Sequence, residues 1–251
     1  WGAAVDPVGG AFALIADHYN HAVRRVDLAD PDHPVTNVAG KQCSGCSGSD
    51  DGVGRAAKFY HPAGIAIDPV RAAYALVADM SNHLLRKIDL ATRAVTTLAG
   101  KGWGSAALLD VVGSDATFKS PTGGDIHRSG RYALVADSDN HALRRVALDA
   151  FEEGEPNEHF SASVTTVALG SLDGNGGAGS TDDLTYPRDI AFDPTGAGDT
   201  ALVVEFANSP KVHRVQRMRV EHYVAPALGG GGGGGTPAGG VLAVAAIAPD
   251  A

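Results

Sequence analysis

Tryptophan, methionine and cysteine each occur only twice in the 251 residues, and aromatic side chains make up 6% of the chain. No window reaches the roughly 18 consecutive apolar residues that a membrane helix needs, so direct membrane insertion is not expected. No basic, apolar and small-residue leader opens the sequence, and no N-x-S/T sequon occurs in it. Basic side chains are outnumbered as well. The formal net charge of −9 argues against a phosphate-backbone partner, because non-specific nucleic-acid binding needs clustered Lys and Arg. What is abundant is glycine, at 33 residues, beside a hydrophobic content of 44%. That balance excludes global disorder and suits many short strands joined by turns better than long helices.

One phrase recurs. "VADMSNHLLRKIDL" from Val77 to Leu90 appears as "IADHYNHAVRRVDL" from Ile15 to Leu28 and as "VADSDNHALRRVAL" from Val135 to Leu148. Asn20, Asn82 and Asn140 thus repeat at intervals of about 60 residues, which marks a repeat architecture. Trp1 to Leu28 aligns on Ala63 to Leu90 without a gap, so "GAAVDP" matches "GIAIDP" and "FALIAD" matches "YALVAD". The third copy fits with one deletion. A weaker fourth, "YPRDIAFDPTGAGDTALVVEFANSPKVHRV", keeps the Pro and Asn208 but has Glu205 for the Asp and Ser209 for the His. Each good unit closes on a further β-rich phrase, "PVTNVAG", "AVTTLAG" or "SVTTVALG", which makes four strands per unit.

The strand faces say how the units pack. Positions 84, 86, 88 and 90 read Leu, Arg, Ile and Leu, an apolar face with one Arg in it, and the other two copies repeat the pattern around Arg24 and Arg144. "YALVAD" is apolar on both faces, which a sheet with one solvated face does not need. Four-stranded sheets stacked face to face around an axis satisfy this. The predicted fold is therefore all-β, a β-propeller of four-stranded antiparallel blades with at least four blades. The expected boundaries are about 1–40, 57–100, 117–170 and 185–228, with a Gly-rich insertion at 229–240 and the possible start of a further blade at 241–251. The first copy begins inside its unit, so the expectation is an excerpt of a larger propeller, part of a larger chain or assembly, or a ring closed across its ends.

The phrase resembles the NHL repeat, named for Asn-His-Leu, which Asn82-His83-Leu84 spells. The family pattern of a Phe followed by Pro, an Ile/Val strand, V-A-D-x-x-N-H and a basic pair is met by "KFYHPAGIAIDP" through Phe59 and by "TFKSPTGGDI" through Phe118. The resemblance covers nearly the whole chain in three good copies and one degenerate copy. It implies the fold far more sharply than the function, since related propellers serve as RNA readers, protein scaffolds, extracellular sensors and a few enzymes.

Residues that repeat with the fold are explained first by the fold. Asp17, Asp79 and Asp137, with Asn20, Asn82 and Asn140, are expected to build the turns after the second strands. His21, His83 and His141 would line one rim without converging, so they are assigned to structure and not to a metal. Arg24, Arg86 and Arg144 point into an apolar face and are expected to be buried and paired with a carboxylate such as the repeat Asp.

Nonrepeating features are the better candidates for function. "KQCSGCSGSDDGVG" contributes Cys43 and Cys46, a C-x-x-C pair compatible with a disulfide, free thiols, or half a zinc site completed by His18 and His21. Lying in a Gly/Ser loop, the pair is read as a local disulfide. "SDDG" and "LDGNGG" lack the spacing and closing Glu of a calcium loop and are read as inter-blade turns. The longest departure from the repeat, "DAFEEGEPNEHFSA" from Asp149, places Phe151, Glu152, Glu153, Glu155 and Phe160 together and is the candidate interface. No nonrepeating set of His, Asp and Glu is evident, so no catalytic residue, metal or cofactor is assigned. The expected function is a non-catalytic protein-interaction or scaffold module, extracellular or on a cell surface, with a protein partner. A metal-dependent propeller lyase or hydrolase and an RNA-binding module are the alternatives.

Overall fold

Strand-forming aliphatics run between turn-forming polar groups in each copy, and each copy folds accordingly into one antiparallel sheet. The structure, a computed structural model, describes residues 1–41, 45–102, 109–148, 162–169, 184–194, 200–208 and 211–219. Blade 1 comprises β1 (Ala3–Val5), β2 (Phe12–Asp17), β3 (Ala22–Asp27) and β4 (Val35–Ala39), hydrogen-bonded in sequence order. Blade 2 comprises β6 (Pro62–Ile67), β7 (Tyr74–Asp79), β8 (Leu84–Asp89) and β9 (Ala94–Ala99), and the short upstream strand β5 (Gly52–Val53) pairs along its outer edge against β9. Blade 3 repeats the order with β10 (Pro121–Ile126), β11 (Tyr132–Asp137), β12 (Ala142–Ala147) and β13 (Val164–Leu169). A single bridge from Val112 to Ser163 stands where β5 stands in blade 2. Blade 4 has three described strands, β14 (Pro187–Phe192), β15 (Thr200–Asn208) and β16 (Lys211–Arg219).

Carboxylates close the turns. Asp6 accepts the N–H groups of Val8 and Ala11 between β1 and β2, and Asp68 those of Val70 and Ala73 between β6 and β7. Between the second and third strands of blades 1 to 3 lies a three-residue 3-10 turn. It ends on a histidine in the left-handed region, His21, His83 or His141, with φ of 54°, 59° and 50°.

Three apolar seams hold the blades together. Phe12, Leu14, Ala16 and Val23 of blade 1 meet Ile65, Ile67, Val77 and Ile88 of blade 2. Leu76, Leu85 and Leu98 on the other face of blade 2 meet Ile126, Val135 and Val146 of blade 3. Leu134 and Leu143 then meet Ile190, Ala201 and Val203 of blade 4. Blade 2 is covered on both faces, which explains why all six residues of β7 are buried. The innermost strands β1, β6, β10 and β14 line an axial channel of about 580 Å³.

The fourth copy departs from the expected anatomy. Its strands β15 and β16 are nine residues each and pair down to Asn208 opposite Lys211, so Asn208 ends a strand and does not sit in a 3-10 turn. Gln216 stands opposite Val203, in the place where Arg86 stands opposite Val77. The lengthened hairpin thus removes both the turn and the arginine position.

Close approach at the axis depends on small residues. A methyl group built on Gly64 would lie 2.6 Å from the Thr122 carbonyl oxygen and from Gly123 Cα of the next blade. Both neighbours are backbone and have no rotamer to yield. Gly64→Ala should therefore destabilise the protein by about 1–3 kcal/mol through overpacking, measured by urea unfolding.

Candidate functional site

The expected polar set assembles at the seams. Arg86 is fully buried, and each of its terminal nitrogens bonds to one carboxylate and one carbonyl. Nη1 donates to Asp79 Oδ2 at 2.9 Å and to the Lys58 carbonyl at 3.0 Å. Nη2 donates to Asp51 Oδ1 at 2.7 Å and to the Asp50 carbonyl at 3.1 Å. Asp79 in turn accepts from Asn82 Nδ2 at 2.8 Å and from the Tyr60 N–H at 2.8 Å. Asp51 also accepts from the backbone and hydroxyl of Thr97, tying the upstream segment to β9. The guanidinium lies 5.3 Å from the centre of the Phe59 ring.

Blade 3 reproduces this network. Arg144 Nη1 donates to Asp137 at 3.0 Å and the Thr117 carbonyl at 2.7 Å, and Nη2 to Asp110 at 3.0 Å and the Leu109 carbonyl at 2.8 Å. Asn140 and the Lys119 N–H complete Asp137, Thr166 completes Asp110, and Phe118 lies 5.3 Å from the guanidinium. Burial pushes the Asp79 carboxyl up to about 6, against the pull of Arg86, Asn82 and the Tyr60 N–H. It pushes Asp137 upward too, against Asn140, the Lys119 N–H and Arg144.

Asp51 and Asp110 were not singled out from the sequence, yet a signal for them exists. "DGVGRAAKFYHP" and "DVVGSDATFKSP" align as D-x-V-G-x-x-A-x-F-x-x-P, with both glycines at positive φ, 56° for Gly54 and 63° for Gly113. The "SDDG" stretch is thus the part of the seam that grips Arg86.

Blade 1 corrects the expectation that all three arginines are equivalent. Arg24 is only partly buried, and Asp17 bonds to Asn20, itself exposed, at 2.9 Å. Arg24 stands opposite Ile15, on the face of blade 1 turned away from blade 2. Among the described residues neither a neighbouring blade nor an upstream segment covers that face, so the side chain stays only partly buried.

The histidines do more than end turns. His21 Nδ1 accepts the N–H of His61 at 3.2 Å, His83 Nδ1 that of Ser120 at 2.9 Å, and His141 Nδ1 that of Tyr186 at 3.2 Å. Each donor immediately precedes the proline that opens the next blade, so each histidine ties its own blade to the following one. His18 is occupied otherwise: its Nδ1–H donates to the Pro62 carbonyl, and its ring stacks between Trp1 and His61. Among the described residues no three His, Cys, Asp or Glu side chains are grouped to hold a metal ion. Cys46 is disulfide-bonded. Cys43 lies outside the described residues, as do Phe151, Glu152, Glu153, Glu155 and Phe160, the "LDGNGG" stretch, Ser209 and the glycine run.

The channel holds one pair that the sequence reading passed over. Asp125 of β10 and Asp189 of β14 both line it, at positions where blade 2 has Ala66 and Gly64. Asp125 accepts the N–H groups of Ile126 and of Phe192 in blade 4, while Asp189 accepts those of Ile190 and of Gly124 in blade 3. Burial raises both carboxyls, and Asp189 raises Asp125 further. Crossed between two inner strands, they satisfy edge N–H groups that have no strand partner.

Arg86→Ala should cost about 3–5 kcal/mol, because it strands a buried carboxylate. The pH dependence has a definite sign. With its cation removed, the folded pKa of Asp79 rises further above its unfolded value near 3.8. A group raised in the folded state contributes stability at low pH and loses it as pH rises through the folded value. The deficit of the variant, read from denaturant unfolding, should therefore be larger at about pH 8 than at about pH 5.

No protein-family model matches the chain. It is similar to NHL repeat-containing protein 2 of Bos taurus, at 35% identity over 143 residues, which are 54% of this chain and 19% of that protein. The match therefore spans about a fifth of the curated relative's length. Among solved structures, an auxiliary nutrient binding protein from Bacteroides thetaiotaomicron aligns over 86% of this chain and 47% of its own, at TM-score 0.56 and 18% identity. The hydrazine synthase of Kuenenia stuttgartiensis aligns over 86% of this chain and 44% of its own, at TM-score 0.53 and 15% identity. At such identities the two structures speak for the fold alone. With its four antiparallel blades around one axis, the chain is a β-propeller, and its recurring Asn-His phrases are similar to those of an NHL repeat-containing protein.

Proposed function

We propose that this propeller is a non-catalytic protein-interaction module, a rigid frame that presents nonrepeating segments to a protein partner. The observation that carries the reading is where the repeated polar residues are used. Asp79, Asn82, His83 and Arg86, with their counterparts in blade 3, bond to one another or to backbone groups within the seams. Side chains so occupied serve rigidity, and recognition falls to segments that vary between units. The paired carboxylates of the channel likewise hold backbone donors.

The segment from Asp149 to Ala162 is the proposed contact region, because it mixes acidic side chains with Phe151 and Phe160. An extracellular or cell-surface setting is part of the proposal, supported by the disulfide at Cys46. The net charge of −9 disfavours the RNA-reading alternative.

Deleting Glu152 to Glu158 should leave the unfolding free energy within about 1 kcal/mol of the parent protein and weaken capture of the partner from native source at least about tenfold. Unchanged capture would move the interface elsewhere. A stoichiometric metal retained through purification, together with turnover of a substrate, would overturn the non-catalytic reading.

A further inference from the structure

Three histidines at equivalent positions join four successive blades by one and the same bond. His21, His83 and His141 each stand in the left-handed region, and each uses Nδ1 as an acceptor. An imidazole that accepts at Nδ1 is neutral, with its proton on Nε2. Adding a proton turns that acceptor into a donor pointing at another donor.

The receiving side is poised to react. His61, Ser120 and Tyr186 sit directly before Pro62, Pro121 and Pro187, and all three have positive φ, 53°, 52° and 42°. A residue before proline is restricted to extended conformations, and positive φ is costly for one with a side chain. The histidine bond holds each of these strained residues in place, and its loss leaves the backbone N–H without its acceptor. Breaking the bond releases the strain at the point where one blade hands over to the next.

We propose that the three histidines form a proton-operated clasp, closed while they are neutral and opened by mild acid, so that the blade seams loosen together as pH falls. The surroundings favour the neutral form. Burial lowers the pKa of His21, and the neighbouring His61 lowers it again. Burial lowers His83 as well, with Asp139 opposing and Lys119 assisting. The third histidine is 5% exposed, with the Tyr186 ring 4.2 Å away. A histidine lowered in the folded state contributes stability above its unfolded pKa of 6.5 and loses it as pH falls through the folded value. Asp79, raised by burial, changes in the opposite sense over the same range, so the test must isolate the histidines.

Asparagine does so. Its Oδ1 occupies the place of Nδ1, it tolerates the left-handed region, and it does not titrate. The wild-type protein and the triple variant His21→Asn, His83→Asn, His141→Asn are to be compared by hydrogen exchange between about pH 7.5 and pH 5, corrected for intrinsic rates. The wild type should lose protection at the His61, Ser120 and Tyr186 amides by at least about tenfold more than the variant. Equal pH dependence in the two proteins would overturn the clasp. Should the triple variant not fold, an NMR titration of the wild type decides: the Ser120 amide should move with the midpoint of His83, and an amide indifferent to that titration refutes the proposal.

Discussion

A guanidinium buried between two sheets is the interaction on which the rest of this structure depends. An arginine without solvent must have its donors met, and Arg86 meets four of five, leaving only Nε without a partner. Those four acceptors come from two places in the chain. Asp79 belongs to the blade's own second strand, whereas Asp50, Asp51 and Lys58 precede the blade's first strand. The seam therefore forms only when the upstream segment, its Phe and the closing strand arrive together, which fixes register across sequence separations of up to 46 residues.

This constraint also explains how the blades differ. Where upstream segment and neighbouring blade are both in place, as around Arg86 and Arg144, aspartate, asparagine and arginine are buried as a unit. Around Arg24, without that cover, Asp17 and Arg24 are only partly buried and Asn20 is exposed. In the fourth blade Glu205, fully buried, accepts the Thr185 N–H at 2.8 Å, so the upstream contact survives the loss of the arginine position. A frame that uses its repeated polar residues in this way leaves variation to the segments between units, which is the division of labour a recognition scaffold needs.

The fold was legible because its signals are local and repeated. Alternating aliphatics, the turn aspartates and the Asn-His phrase recur three times, and two-sided burial followed from "YALVAD" alone. Parts of the site were hidden for physical reasons. Asp51 and Asp110 lie more than 30 residues before their arginines, so no local pattern joins them, although aligning the segments before Phe59 and Phe118 pairs them. The inter-blade role of the histidines turns on which ring nitrogen meets which backbone N–H, a matter of turn geometry that residue identity does not carry. Asp125 and Asp189 meet only through the packing of two inner strands distant in sequence. In the fourth copy a matching phrase does not bring a matching turn, because two lengthened strands absorb Asn208.

The central claim is that arginine and aspartate of the repeat act as one buried unit, and a double-mutant cycle of Asp79→Ala with Arg86→Ala measures that directly. Stabilities of the four proteins from denaturant unfolding at neutral pH give the coupling between the two side chains. A unit of this kind should show a coupling of about 1–3 kcal/mol, the double variant being far less destabilised than the two single losses added together. Strict additivity, with a coupling near zero, would contradict it.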